Sequence, residues 1–362
     1  MHMHSDLKGL STLMVILLII IAVIIGGIIS YAFTIAAYVN VKVPEGTTLV
    51  ITGFYFDKEN ATSFKISVLN PSYSPTEATI YGVALSLKGE NQLFYIAKTE
   101  PPIENGVVIP SGESLNITCS EIIKDDTTVP LGEFVGEFAG KDIIVHIFSS
   151  DSSASNLEIT LPFVKLYIFP TFIPEVSLKK FNITLVNDAI SAINLTIKKI
   201  TVSNIAVGEM TPDANVQPVT ITIGKSLHIN FNGSWQGVEK TIITVFTEQG
   251  YIFSREVYLP RVYAEITDVS FNESDTGHFN VTIFNSAESA IPVTVNKIVC
   301  TLENGTTCTF SDLSVSISPN SEETITLYWN WEGYRGKEVE VIAYFAQDFE
   351  TEPYTITTPT AP

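Results

Sequence analysis

The chain has 362 residues, with 39 acidic against 20 basic side chains and a formal net charge of -19. That balance argues against nucleic acid or anionic lipid as a partner, because both are held by basic surfaces. Only 16% of the residues are charged, while Val, Ile, Thr, Phe and Tyr abound, so strands and a surface built from Ser, Thr and Asn are expected.

Residues 1–9 read as a short cytoplasmic leader, and nothing from Leu10 to Val39 carries a charge. This run exceeds both the ~7–15 apolar residues of a secretory signal core and the ~20 that cross a bilayer as a helix. It has no polar face, which disfavours a buried core helix, and its Gly26–Gly27 pair is tolerated in membrane helices. One membrane-spanning helix over 10–39 is predicted, with the lipid bilayer as its partner. Lys8 and Lys42 flank it singly, so charge alone barely orients it.

Three segments after the helix align without a gap: "FKISVLNPSYSPTEATIYGVAL" from Phe64, "FNITLVNDAISAINLTIKKITV" from Phe181 and "FNVTIFNSAESAIPVTVNKIVC" from Phe279. Phe64, Phe181 and Phe279 coincide, as do Asn70, Asn187 and Asn285. "LPFV" at Leu161 recurs as "LPRV" at Leu259, and Gly140, Gly237 and Gly336 open a further shared element. Each copy alternates with period two, Phe181, Ile183 and Leu185 on one face against Asn182 and Thr184 on the other. The shared Asn is expected to open a turn, where that residue tolerates unusual backbone angles. Copies of about 100 residues with short strands and regular turns describe immunoglobulin-like or fibronectin III-like β-sandwiches. The expected organisation is sandwich 1 over 44–161, sandwich 2 over 162–259, sandwich 3 over 260–358, and a tail at 359–362. The stretch from Phe64 to Gly140 is 20 residues longer than that from Phe181 to Gly237. The excess is expected near "GENQLFYIAKTEPPIENG" as a protruding hairpin or loop. No flexible linker separates the copies, so a semi-rigid array is expected.

Sequons for N-glycosylation occur at Asn60, Asn116, Asn182, Asn194, Asn232, Asn272, Asn280 and Asn304. Their spread along the whole region after the helix favours an exported, single-pass topology with the C-terminal domains outside the cytoplasmic membrane. In "CTLENGTTC" a loop at Glu303–Gly305 would set Cys300 opposite Cys308, making a disulfide geometrically plausible against two unlinked thiols, and Cys119 is left as a buried free thiol.

The repeats resemble the CARDB and late-embryogenesis-abundant (LEA-like) sandwich modules of archaeal surface proteins. The shared pattern is the strand, "NP", strand element at Phe64, followed by "IPSGESLNIT" from Ile109; copies two and three carry Asp188 and Ser286 where Pro71 stands. The resemblance implies surface display or adhesion without catalytic residues. "KGLSTLMVILLIIIAVIIGG" is similar to an archaeal type IV pilin signal, which implies cleavage after Lys8-Gly9 and a mature start at Leu10.

His146, His228 and His278 are scattered over different copies, and no G-x-S-x-G elbow occurs. "GKS" at Gly224 lacks the glycine of a phosphate loop and reads as a turn. "KDD" at Lys124 and "NESD" at Asn272 read as solvated turns, with calcium at the domain joins as the sharper alternative. Trp235, Trp329 and Trp331 read as core residues, with a sugar-gripping pair as the sharper alternative. Neither enzyme activity nor a cofactor is expected. The leading expectation is a membrane-anchored surface protein with an adhesive or envelope-spacing role, its partner an envelope protein or glycan. The alternatives are a self-assembling, pilin-like filament subunit cut after Gly9 and an accessory module presenting substrate to a partner enzyme.

Overall fold

The computed structural model describes residues 19–28, 30–31, 47–150, 152–154, 156–205 and 218–360. Residues 19–28 and 30–31 are helical, with every side chain exposed. Among the described residues no helix is long and apolar enough to cross a membrane. Most of the 10–39 span expected from the sequence, and the Gly9–Leu10 cleavage position, lie outside the described residues.

The remainder is three consecutive β-units matching the three aligned copies. In the second unit Leu166–Thr171, Lys180–Asn187 and Ser226–Asn232 form a three-stranded sheet. Val219–Ile221, Leu195–Val202, Lys240–Thr247 and Ile252–Tyr258 form a four-stranded one. The third unit repeats this division, with Ala264–Phe271, His278–Asn285 and Ser321–Tyr328 in one sheet and five strands around Val293–Leu302 in the other. In the first unit, Phe94–Glu100 pairs with both Ala78–Leu87 and Ser114–Lys124, fusing the two layers into one ten-stranded sheet.

Alternation builds these layers. The Lys180–Asn187 strand buries Phe181, Ile183 and Leu185 and exposes Asn182. His278–Asn285 buries Phe279, Val281 and Ile283, with Asn280 half-buried. Burial of such branched and aromatic side chains stabilises each sandwich by roughly 1.5–3 kcal/mol per fully buried residue.

The shared asparagine acts differently from the expectation. Asn70, Asn187 and Asn285 are fully buried and none has a positive φ. The Asn187 side-chain amide donates to the carbonyls of Ile193 and Ile221, at 3.0 and 3.1 Å. Asn285 repeats this with Ile291 and Ile317, and Asn70 with Thr76 and Ile109. The residue therefore staples the end of its strand to the turn that follows and to a strand of the opposite layer. Its backbone carbonyl also accepts the N–H of Gly112, Gly224 or Asn320 in the respective unit.

The 20 extra residues of the first unit also lie elsewhere than expected. Cys119 and Phe231 stand at matching positions, opposite Phe64 and Phe181. From there the chain reaches Gly140 in 21 residues but Gly237 in only six. Most of the excess is thus the hairpin into Thr127–Pro130 and the helix Leu131–Glu137, whose apolar face is buried. "GENQLFYIAKTEPPIENG" contains the strand that fuses the sheets. At the C-terminal end, Tyr354–Thr357 pairs with Glu338–Val341, so the sheet of the third unit runs almost to the tail expected at 359–362.

Candidate interaction surfaces

The sequence offered scattered residues, and their surroundings sort them. Trp235 and Trp331 are buried at 1% and 0% exposure, each donating its indole N–H to a backbone carbonyl, of Lys180 and His278. Trp329 is half-buried and stacks on Tyr334 with ring centroids 5.3 Å apart. No exposed Trp pair exists among the described residues, so the sugar-gripping alternative fails for two reasons: both buried indoles are already bonded, and the third is covered on one face.

Asp125 and Asp126 have positive φ and form the two-residue turn of the Ser114–Lys124 hairpin. In "NESD", the Asn272 side-chain oxygen accepts from the Ser274 N–H and hydroxyl, and Asp275 accepts from Gly277 and faces His278 at 3.1 Å. Gly224, at φ 71°, turns the chain between two strands. No cluster of three or more metal-ligating side chains occurs among the described residues. His146 Nε2 lies 2.8 Å from the Ser86 hydroxyl, a nucleophile–base distance. However, Ser86 is buried in its strand, and no carboxylate bonds to His146 among the described residues.

Seven of the eight sequon asparagines are exposed, and Asn280 is half-buried. Its side-chain oxygen accepts from the Thr326 hydroxyl at 2.9 Å. Cys300 and Cys308 stand directly opposite each other in an antiparallel pair, with Leu302 accepting the Gly305 N–H at the loop. Both thiols are free, and burial pushes Cys300 up to about 12. Cys119 is buried in the first core, where desolvation likewise pushes it up to about 12.

The joins between units are the strongest recurring sites, and the sequence did not reveal them. The hairpin tip at Gln249–Tyr251 docks on the first unit, where the Ala61 N–H donates to the Gln249 carbonyl at 2.7 Å. The tip at Gln347–Phe349 docks on the second unit identically, the Leu178 N–H donating to the Gln347 carbonyl at 2.7 Å. Ala61 aligns with Leu178, and Gln249 with Gln347. Within each tip the glutamine side-chain oxygen takes a neighbouring backbone N–H, of Thr196 or Thr294, which fixes the loop that presents its carbonyl. Tyr251 is fully buried and donates its hydroxyl to the Lys58 carbonyl at 3.1 Å. Burial, with the charges of Glu59 and Asp57 nearby, raises its phenol above the ordinary range. Beside the second join lies an open cleft of about 670 Å³, where Arg261 pairs with Glu239 and Glu288 and faces Glu350 and Glu352. The signal that could have found these joins was the recurrence of Gln at 98-residue spacing at the end of the Gly237 and Gly336 elements.

No protein-family model and no curated protein sequence matches the chain. Among solved structures it is similar to the FN1–FN3 domains of chicken CNTN1, with 12% identity over 87% of this chain and 100% of that one. The TM-score of 0.25 is too low to carry any inference from that protein to this one.

Proposed function

We propose that the chain is a membrane-anchored extracellular protein whose tandem Ig-like units act as an adhesive or envelope-spacing rod, without catalysis. The observation that carries this reading is the identical backbone bond at both joins, Ala61 to Gln249 and Leu178 to Gln347, which stacks the units head to tail. Short joins of this kind restrict hinge motion, so the units hold one spacing. The uncharged run from Leu10 to Val39 supplies the anchor, and the exposed sequons fit an exported surface. The partner at the far end is an envelope protein or glycan, in the manner of the CARDB and LEA-like modules that the repeats resemble.

Protease added to intact cells tests the topology. Removal of the units with retention of the anchor is expected, and full protection until lysis overturns the outward orientation. The pilin-like filament reading is favoured by one observation, the Lys8-Gly9 pair immediately before the uncharged run. N-terminal sequencing decides between the two: an intact leader in the membrane fraction supports the anchor, and a start at Leu10 in sheared filaments supports assembly.

A further inference from the structure

The end of the first unit from which Thr47 begins differs in chemistry from the same end of the other two. Register places there the turn carrying Tyr73, the beginning of the Ala78–Leu87 strand, the Val107–Ile109 strand, and the end of Asp142–Ser149. Ser152 pairs with Thr47 at the same edge. Four large apolar or aromatic side chains are exposed in this small region: Tyr73 at 59%, Tyr81 at 48%, Val108 at 48% and Phe148 at 37%. The Tyr81 ring lies across Gly106 and the Phe148 ring across Gly82, so that a Cβ on either glycine would stand 2.8 or 3.5 Å from the ring. Tyr95 continues the patch, its centroid 5.7 Å from that of Phe148.

The repeats supply an internal control. At the positions of Tyr73, Tyr81 and Val108 the second unit has Ile190, Lys198 and Thr220, and the third has Glu288, Asn296 and Ser316. Phe148 corresponds to Phe246 and Tyr344, through the pairs Gly82–Phe148, Lys199–Phe246 and Lys297–Tyr344. In the latter two pairs the lysine ammonium sits over the ring, at 5.9 and 3.9 Å from the centroid. In the first unit that covering lysine is Gly82, and the ring is bare. The second unit also exposes Ile190 and Ile223 near this end, but its ring keeps the lysine; the end whose ring has lost that cation is the one from which the chain leads back to the exposed helical residues 19–28 and 30–31.

We infer that this aromatic end of the first unit rests on the surface of a lipid bilayer, an inference that depends on the membrane anchoring proposed above. Tyr and Phe suit the headgroup level, where an amphipathic or apolar ring is half-immersed. From Tyr31 to Thr47 is 16 residues, which span at most about 55 Å whatever their conformation, so the anchor holds this end near the membrane. Charge selects the lipid. Glu77, Glu104 and Glu113 are exposed around the patch, so neutral or zwitterionic headgroups fit and anionic ones are repelled.

The test is the full chain reconstituted in phosphatidylcholine vesicles that carry a membrane-confined carbene photolabel, with labelled residues mapped by mass spectrometry. The expected result is labelling of the N-terminal helix and of the Tyr73, Tyr81 and Phe148 segments. The latter should exceed the matching segments of units two and three several-fold and should fall to their level in Tyr81→Ser/Phe148→Ser. Both replaced side chains are surface-exposed, and the wild-type map alone decides if that variant fails to fold. Labelling of the helix without the patch overturns the inference and leaves the anchor standing. Labelling of neither overturns both, and crosslinks joining the patches of two copies overturn it in favour of self-association.

Discussion

The two joins share one backbone hydrogen bond but surround it differently. At the first join the helix Leu131–Glu137 lies against the docked hairpin so closely that a Cβ on Gly132 would stand 1.8 Å from the Gly250 carbonyl oxygen, and one on Gly136 2.9 Å from that of Ile252. Gly250 itself has φ 83°, and a Cβ there would approach Thr62 to 2.7 Å. At the second join no such helix occurs among the described residues. The hairpin tip carries buried Phe349, stacked on Phe345 of its own unit at 4.2 Å, and meets the second unit through polar contacts: Lys179 with Glu350 at 3.2 Å, and the Gln236 amide with the Glu350 carbonyl at 3.4 Å. Both joins bury an aromatic at the aligned position, Tyr251 and Phe349; the first adds a steric fit of bare backbone around it, the second a wet rim. The same joint can therefore be stiffened in two ways without changing the bond at its centre.

Removing the Phe349 ring should have the largest effect. Phe349→Ala deletes a side chain that is 1% exposed, and the expected cost is about 3–5 kcal/mol, concentrated in the third unit and the second join. Hydrogen exchange resolved by unit should show faster exchange there and unchanged protection at Ala61. Equal loosening of both joins would refute their independence.

Gly132→Val attacks the other join. The added side chain must displace the Gly250 backbone, for an expected cost of about 1–3 kcal/mol or more. The reading requires the amide of Ala61 to lose protection while that of Leu178 keeps it. A variant as stable as the parent, with both amides still protected, would show that the close approach does not hold the join.

Alkali should separate the units by their cysteines. A buried thiol is favoured in its neutral form, so the folded pKa of Cys119 and of Cys300 lies above the unfolded value. Their contribution is complete below about pH 9 and is lost as pH rises toward about 12, amounting to roughly 1 kcal/mol each by pH 10. Units one and three should thus begin to loosen before unit two, which has no cysteine. Cys119→Ala should flatten this pH dependence in unit one, and denaturant melts at pH 8 and pH 10 would read it.

The smallest effect belongs to the rim of the second join. Lys179 and Glu350 are both nearly half exposed, so Lys179→Met should change stability by no more than about 0.5 kcal/mol. A loss above 2 kcal/mol would mean that the polar rim, and not Phe349, holds the hairpin.

Much of the fold was legible because its determinants are local. The two-residue alternation of Phe181, Ile183 and Leu185 identifies a strand with one buried face, and it does so in a window of a few residues. Copying of that window three times, with Asn187 and its partners in step, established the number of units. The symmetric "CTLENGTTC" placed Cys300 opposite Cys308 because a short loop leaves few registers open. The role of the shared asparagine was not legible. A turn residue and a buried staple have the same place in the alignment, and the carbonyls that Asn187 holds include that of Ile221, 34 residues away.

By itself, then, the sequence determined the strands, the three copies, their spacing and the uncharged N-terminal run, since each follows from periodicity and composition along a continuous stretch. Only the tertiary structure decided where the extra residues of the first unit go, how the units dock and which end leaves its aromatic ring without a covering cation. Gly132 must lack a side chain because of Gly250, and Tyr251 is buried because its hydroxyl reaches Lys58, 193 residues earlier. The exposure of Phe148 depends on what its cross-strand neighbour is, a lysine in two units and Gly82 in the first. Contacts of this kind are set by how closely folded surfaces approach, and no local pattern in the chain encodes that approach.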